Sequence, residues 1–193
     1  REALIDNDDC FLMGEDVGAY GGAYAVSKGL LEEFGPKRIV DSPLSESAIV
    51  GLGTGSSMVG LKPIIEIMTI NFLLVALDQL VNHAAKIRYM SANQYAAPFM
   101  VRTVTGGGAQ LGATHSQCFE PWLASVPGLK VVAPSSPYDA LGLFRSAIKE
   151  KDPIVFVEHI LLYGSKGIVD EDYYEIPIGK ANIVRSGDNL TLF

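Results

Sequence analysis

The run DSPLSESAIVGLGTGSSMVG, residues 41–60, sets one carboxylate, Glu46, beside Ser45 at the mouth of an apolar, glycine-rich helix, where an acid could handle a proton. The run opens on the turn residues Asp41-Ser42-Pro43. Pro43 sets the direction of the incoming chain, and Ser45 reads as a helix N-cap. Ala48, Ile49 and Leu52 then share a helical face. Gly51 and Gly55 lie one turn apart, and each costs about 1 kcal/mol against Ala in a helix interior. That spacing predicts close approach by another backbone or a ligand. On spacing alone, Glu46 also suits a helix dipole, for roughly 0.3–1 kcal/mol. The glycines of residues 51–56, GLGTGS, come near to G-x-G-x-x-G. A dinucleotide fingerprint follows a strand and opens a helix, whereas these follow the helix start, and no Gly-Lys-Ser/Thr comes after. His115, after Gly106-Gly107-Gly108, reads on its own as a loop histidine, and His83 and His159 as structural.

These residues need elements to hold them. Residues 1–9 read as the end of a helix and Cys10–Met13 as a strand running into Glu15. Gly18, Gly21 and Gly22 mark a loop, residues 26–34 a helix, and Gly35-Pro36 its stop. Ile39-Val40 leads into the central run, and Pro63–Ile67 is a buried strand. A long helix is predicted from Asn71, as its cap, to about Ser91. Its stripe is Leu73, Leu77, Leu80, Ala84 and Ile87, with Asp78 on an otherwise apolar face. Phe99–Val104, Lys130–Ala133 and Ile154–Glu158 read as strands, and 118–125 and Pro137–Lys149 as helices. An antiparallel-looking strand is expected beyond Tyr163. The alternation predicts an α/β fold, a mostly parallel open sheet with helices on both faces. Ligands in such sheets bind beyond the strand carboxyl ends.

With 193 residues, 48% hydrophobic and 19% charged, the chain can bury a substantial core and a subunit interface. A net charge of −7 without a basic cluster argues against nucleic acid or an anionic membrane surface as partner. Residues 64–77 are too short and polar to span a bilayer, and no signal peptide is visible. Cys10 and Cys118 form no metal or redox spacing, which points to a reducing compartment. Residues 1–4 read as mid-helix and Leu190–Phe193 as a strand beginning, so a fragment of a longer protein is expected.

The runs GEDVGAYGGAYAVSKGL, DSPLSE and LGATHSQCFEPWLASVPGLKVVAP, with a helix opening on Asn71-Phe72, resemble the beta subunits of thiamine-diphosphate-dependent 2-oxo acid dehydrogenases. The pyruvate-specific members are the nearest match. The resemblance covers the chain as one transketolase-like pyrimidine-binding domain, 1–193, without the family's C-terminal domain. It implies that Glu46 hydrogen-bonds N1′ of the cofactor's aminopyrimidine, so that the 4′-amino group can take the thiazolium C2 proton. It implies apolar contacts to that ring from Leu44, Met68 and Phe72, and a role for His115 in acyl transfer to lipoamide. Glu15 and Asp78 match acids of a proton-conducting channel. Phe99, Ala147, Ile148, Glu150 and Asp152 match a monovalent cation site, suited to K⁺.

No Gly-Asp-Gly occurs, so the resemblance assigns Mg²⁺ and the diphosphate to an alpha subunit in a heterotetramer of two alpha and two beta chains. The expected partners are that subunit, a dihydrolipoyl acetyltransferase core and pyruvate. The expected location is a bacterial cytoplasm or an organelle matrix. Branched-chain 2-oxo acid or acetoin dehydrogenase, a non-catalytic scaffold and a nucleotide-binding module are the competing readings.

Overall fold

The computed structural model describes residues 1–192. Six strands form one parallel sheet: β1 (Cys10–Gly14), β2 (Ile39–Asp41), β3 (Lys62–Ile67), β4 (Met100–Thr105), β5 (Lys130–Val132) and β6 (Ile154–His159), in the order β2-β1-β3-β4-β6-β5. The central strands are buried on both faces, as their near-continuous apolar runs require. One face packs Ile65, Ile67, Val101 and Val155 against α3 (Glu46–Met58) and the helical segment after β3. The other packs Leu12, Ile64, Met100 and Phe156 against residues of α1 (Glu2–Asp6), α2 (Leu30–Phe34) and α7 (Pro137–Ala147).

The segment after β3 is not one regular helix. It runs through α4 (Ile70–Leu73), a 3-10 turn (Leu74–Ala76), a π-helical stretch (Gln79–Ala84) and α5 (Ala85–Met90). Thr69, not Asn71, is its N-cap. The apolar stripe holds, since Leu73, Leu80 and Ala84 are buried. The helix expected over 26–34 shrinks to α2, because Gly29 takes a left-handed φ of 85° inside that span and becomes the N-cap. The remaining helix is α6 (Glu120–Ala124).

In α3 the constrained glycine is Gly53, where a Cβ would lie 2.7 Å from Ile65 and 3.1 Å from Phe99. Gly51 meets only the Gln79 side chain and Gly55 faces open space, so their spacing does not mark a close approach within this chain. Of the expected face only Ile49 is buried, while Ala48 and Leu52 are exposed.

No strand forms after Tyr163 among the described residues. The tail lies on α7 instead: the Ile176 amide donates to the Gly142 carbonyl at 3.2 Å, and the Ser146 hydroxyl donates to the Ile176 carbonyl at 2.6 Å. Tyr174 stacks on Tyr138, with ring centroids 4.3 Å apart. The strand expected at Leu190 is absent over Leu190–Leu192, and Phe193 lies outside the described residues. Among those residues no helix is long and apolar enough to cross a membrane.

Candidate active site

The carboxyl ends of the strands lead directly to the candidate residues. β1 runs into Glu15, β2 into Leu44–Glu46, β3 into Phe72, and β4 into the loop that carries His115. Glu46 opens α3 and is only 6% exposed. Ser45 makes no side-chain cap there; its hydroxyl donates to the Pro43 carbonyl at 3.0 Å. Glu46 lines an open cavity of about 820 Å³ with Leu44, Phe72, Val75 and Gln79. A cavity of about 900 Å³ between α1 and α7 lies at the amino ends of the strands, beside Asn7 and Lys62. The position of the first favours it as the site in a parallel sheet.

Phe72 links the acid to the histidine. Its ring meets the His115 ring edge-on, with centroids 5.2 Å apart. The His115 loop is held by buried Asn71, whose Oδ1 accepts from the Gln117 amide at 3.2 Å. The Asn71 side-chain amide also donates to the Thr69 hydroxyl at 2.8 Å. Gly106 lets the loop fold back, since a Cβ there would lie 2.7 Å from the His115 carbonyl oxygen. Thr114 Oγ1 sits 3.0 Å from His115 Nδ1.

Glu15 stands beside this corner. Burial pushes its carboxyl above the ordinary range, and the charge of Glu46 adds to the shift. Its Oε1 is buried without a hydrogen-bond partner. A buried carboxyl, an apolar aromatic wall and an orphaned acceptor suit a flat heterocycle bearing a basic nitrogen and an amino group. An aminopyrimidine fits that description.

Other expected residues are placed elsewhere. Met68 follows β3, half-buried, outside the lining of the cavity. Asp78 is exposed; the Asn82 amide holds its carboxyl below the usual range, and His83 Nε2 lies 3.3 Å away. Phe99, Ala147, Ile148, Glu150 and Asp152 sit at the start of β4 and the end of α7, away from the cavity. Glu150 pairs with Lys130, and Asp152 with Arg88 at 2.7 Å and Lys130 at 3.5 Å. Burial works against the Lys130 charge, but the two carboxylates outweigh it and push the ammonium up. The Phe99 and Ala147 carbonyls accept from the Ile154 and Glu150 amides at 3.0 and 3.2 Å. Among the described residues no group of three or more His, Cys, Asp or Glu is arranged to hold a metal.

A charged cluster under the same strand ends escapes sequence reasoning. Arg102 is 5% exposed on β4 and pairs with Glu66 on β3, its direct partner in register. Its Nε and Nη2 donate to Glu158 at 2.6 Å each. The Tyr163 hydroxyl accepts from Arg102 at 3.0 Å and donates to Glu158 at 2.6 Å. Burial lifts the Glu66 carboxyl, and Arg102 offsets this only in part. The available signal was one Glu and one Arg in the middle of runs that read as buried strands, where charges must pair.

Residues 1–166 match the family described as transketolase, pyrimidine binding domain. The chain belongs to that family. It is 49% identical to "Pyruvate dehydrogenase E1 component subunit beta-1, mitochondrial" of Arabidopsis thaliana, over 99% of this chain and 54% of that protein. It is 47% identical to the E1 component subunit beta of Rhizobium meliloti, over 100% of this chain and 44% of that protein. Identity to the "2-oxoisovalerate dehydrogenase subunit beta" of Bacillus subtilis is 45%, over 100% of this chain and 59% of that protein. The chain thus spans about half the length of these curated relatives. A solved "Split gene transketolase, inactive beta4 tetramer" shares the fold, with a TM-score of 0.69 at 16% identity, covering 91% of this chain and 53% of that one.

Proposed function

We propose that this domain supplies the pyrimidine half of a thiamine diphosphate site in the beta subunit of a pyruvate dehydrogenase decarboxylating component. The observation that carries the reading is buried Glu46 on a cavity walled by Phe72, with His115 against the same ring. When bound, thiamine diphosphate would supply an electron sink for decarboxylation of a 2-oxo acid. Glu46 would hold a proton at the pyrimidine ring nitrogen, and Leu44 and Phe72 would orient the ring. Glu15 would keep a second carboxyl beside it. His115 would hold or move a proton where the acyl group passes to a lipoyl acceptor. An alpha subunit would bind Mg²⁺ and the diphosphate, and K⁺ would sit on the carbonyls near Ala147 and Ile148.

The 2-oxoisovalerate relative supports a second reading, a branched-chain substrate. One experiment addresses both: the full-length subunit is assembled with its alpha partner and given pyruvate and branched 2-oxo acids. Pyruvate is expected to give the higher kcat/KM, and a branched acid doing so would favour the second reading. In the same assay His115→Ala is expected to cost lipoamide acylation about 10²-fold, within the range for one acid–base group. Decarboxylation read with an artificial acceptor should fall far less; equal losses would remove His115 from the transfer step.

A further inference from the structure

The strands β4 and β6 are neighbours, with Thr105 opposite His159. Their exits are therefore adjacent: β4 leads into the His115 loop, and β6 into a 3-10 turn, Ile160–Leu162. Leu161 reaches that loop, since a Cβ on Gly108 would lie 2.9 Å from Leu161 Cδ1. Gly108 has φ +82, so both its backbone and this contact favour glycine. On the other side, the Tyr163 ring packs edge-on against Tyr24, with centroids 5.3 Å apart. Tyr24 belongs to the loop after β1 that begins with Glu15. The turn is itself anchored, because Tyr163 and Glu158 are both bound by buried Arg102. His159 Nδ1 accepts from the Leu161 amide at 3.3 Å and closes the turn.

We infer that residues 158–163 are a brace that positions both loops of the candidate site, Leu161 setting the His115 loop and Tyr163 the Glu15 loop. Neither residue lines the Glu46 cavity, so both are positioning residues. Their catalytic consequence rests on the function proposed above, but the brace itself can be measured without it.

Hydrogen exchange on the full-length subunit, assembled with its alpha partner, reads the brace directly. Leu161→Ala is expected to speed exchange across 106–117 about tenfold and leave 15–25 within about twofold. Tyr163→Ala, which removes both the Tyr24 contact and one anchor of the turn, should speed exchange across 15–25 about tenfold, and Leu161→Met, which restores volume, should return 106–117 to the parent rate. Unchanged exchange in both loops, or equal loosening of both by Leu161→Ala, would overturn the inference. In the acylation assay Leu161→Ala should lower lipoyl transfer about tenfold, short of the roughly hundredfold that a 1 Å misplacement can cost. Loop-selective exchange without that loss would uphold the brace and count against the role of His115.

Discussion

Glu46→Gln is expected to slow exchange of the thiazolium C2 proton in the assembled enzyme by about 10²–10⁴-fold, the usual worth of a positioned acid–base group. Glutamine keeps the shape of the side chain but cannot hold the proton that the ring nitrogen requires. Glu46 is 6% exposed, so bulk water cannot readily replace it. Assembly should be unaffected, since the substitution preserves side-chain volume at a position that faces an open cavity. A second readout is independent of turnover. Part of the upward shift of Glu15 comes from the charge of Glu46, so Glu15 should titrate lower in the variant, by carboxyl NMR. Unchanged C2 exchange would remove Glu46 from the proton-handling role.

Arg102→Met should destabilise the fold by about 3–5 kcal/mol, because it strands Glu66 in the interior and frees Glu158. For a domain of this size that is a fall in Tm of roughly 6–20 °C. The pH dependence should change as well. The folded-state pKa of Glu66 lies above its ordinary value, so the folded state binds the proton more tightly than the unfolded one. Its contribution is favourable at pH below the ordinary carboxylate range and is lost as pH rises through the folded value. Without Arg102 that loss should steepen, and the variant should recover part of its stability in acid. Denaturant titrations across pH check this; a variant as stable as the parent at neutral pH would show that the cluster is not held by Arg102.

The strand–helix alternation was legible because buried parallel strands are long apolar runs, as in β3 and β6. Glu46 was legible as a lone acid at a helix start, which is where α3 places it. The contact of Phe72 with His115 was not, since a strand and a folded-back loop separate them in the chain. Asn71 was read as a cap because its side-chain carbonyl is a good cap acceptor, yet tertiary demand turned it toward Gln117. Gly53 was masked by Gly51 and Gly55, because spacing cannot say which glycine faces a neighbouring strand. The tail was misread because its alternation of apolar residues serves contacts with α7 rather than a sheet edge.

The central claim is that this chain provides the acid and the apolar wall for one half of thiamine diphosphate, while another chain grips the phosphorylated half. Calorimetric titration of thiamine diphosphate with Mg²⁺ tests it most directly, into the full-length beta subunit, the alpha subunit and their assembly. Tight binding is expected only for the assembly, weakened by Phe72→Ala. Equally tight binding by either subunit alone would contradict the claim.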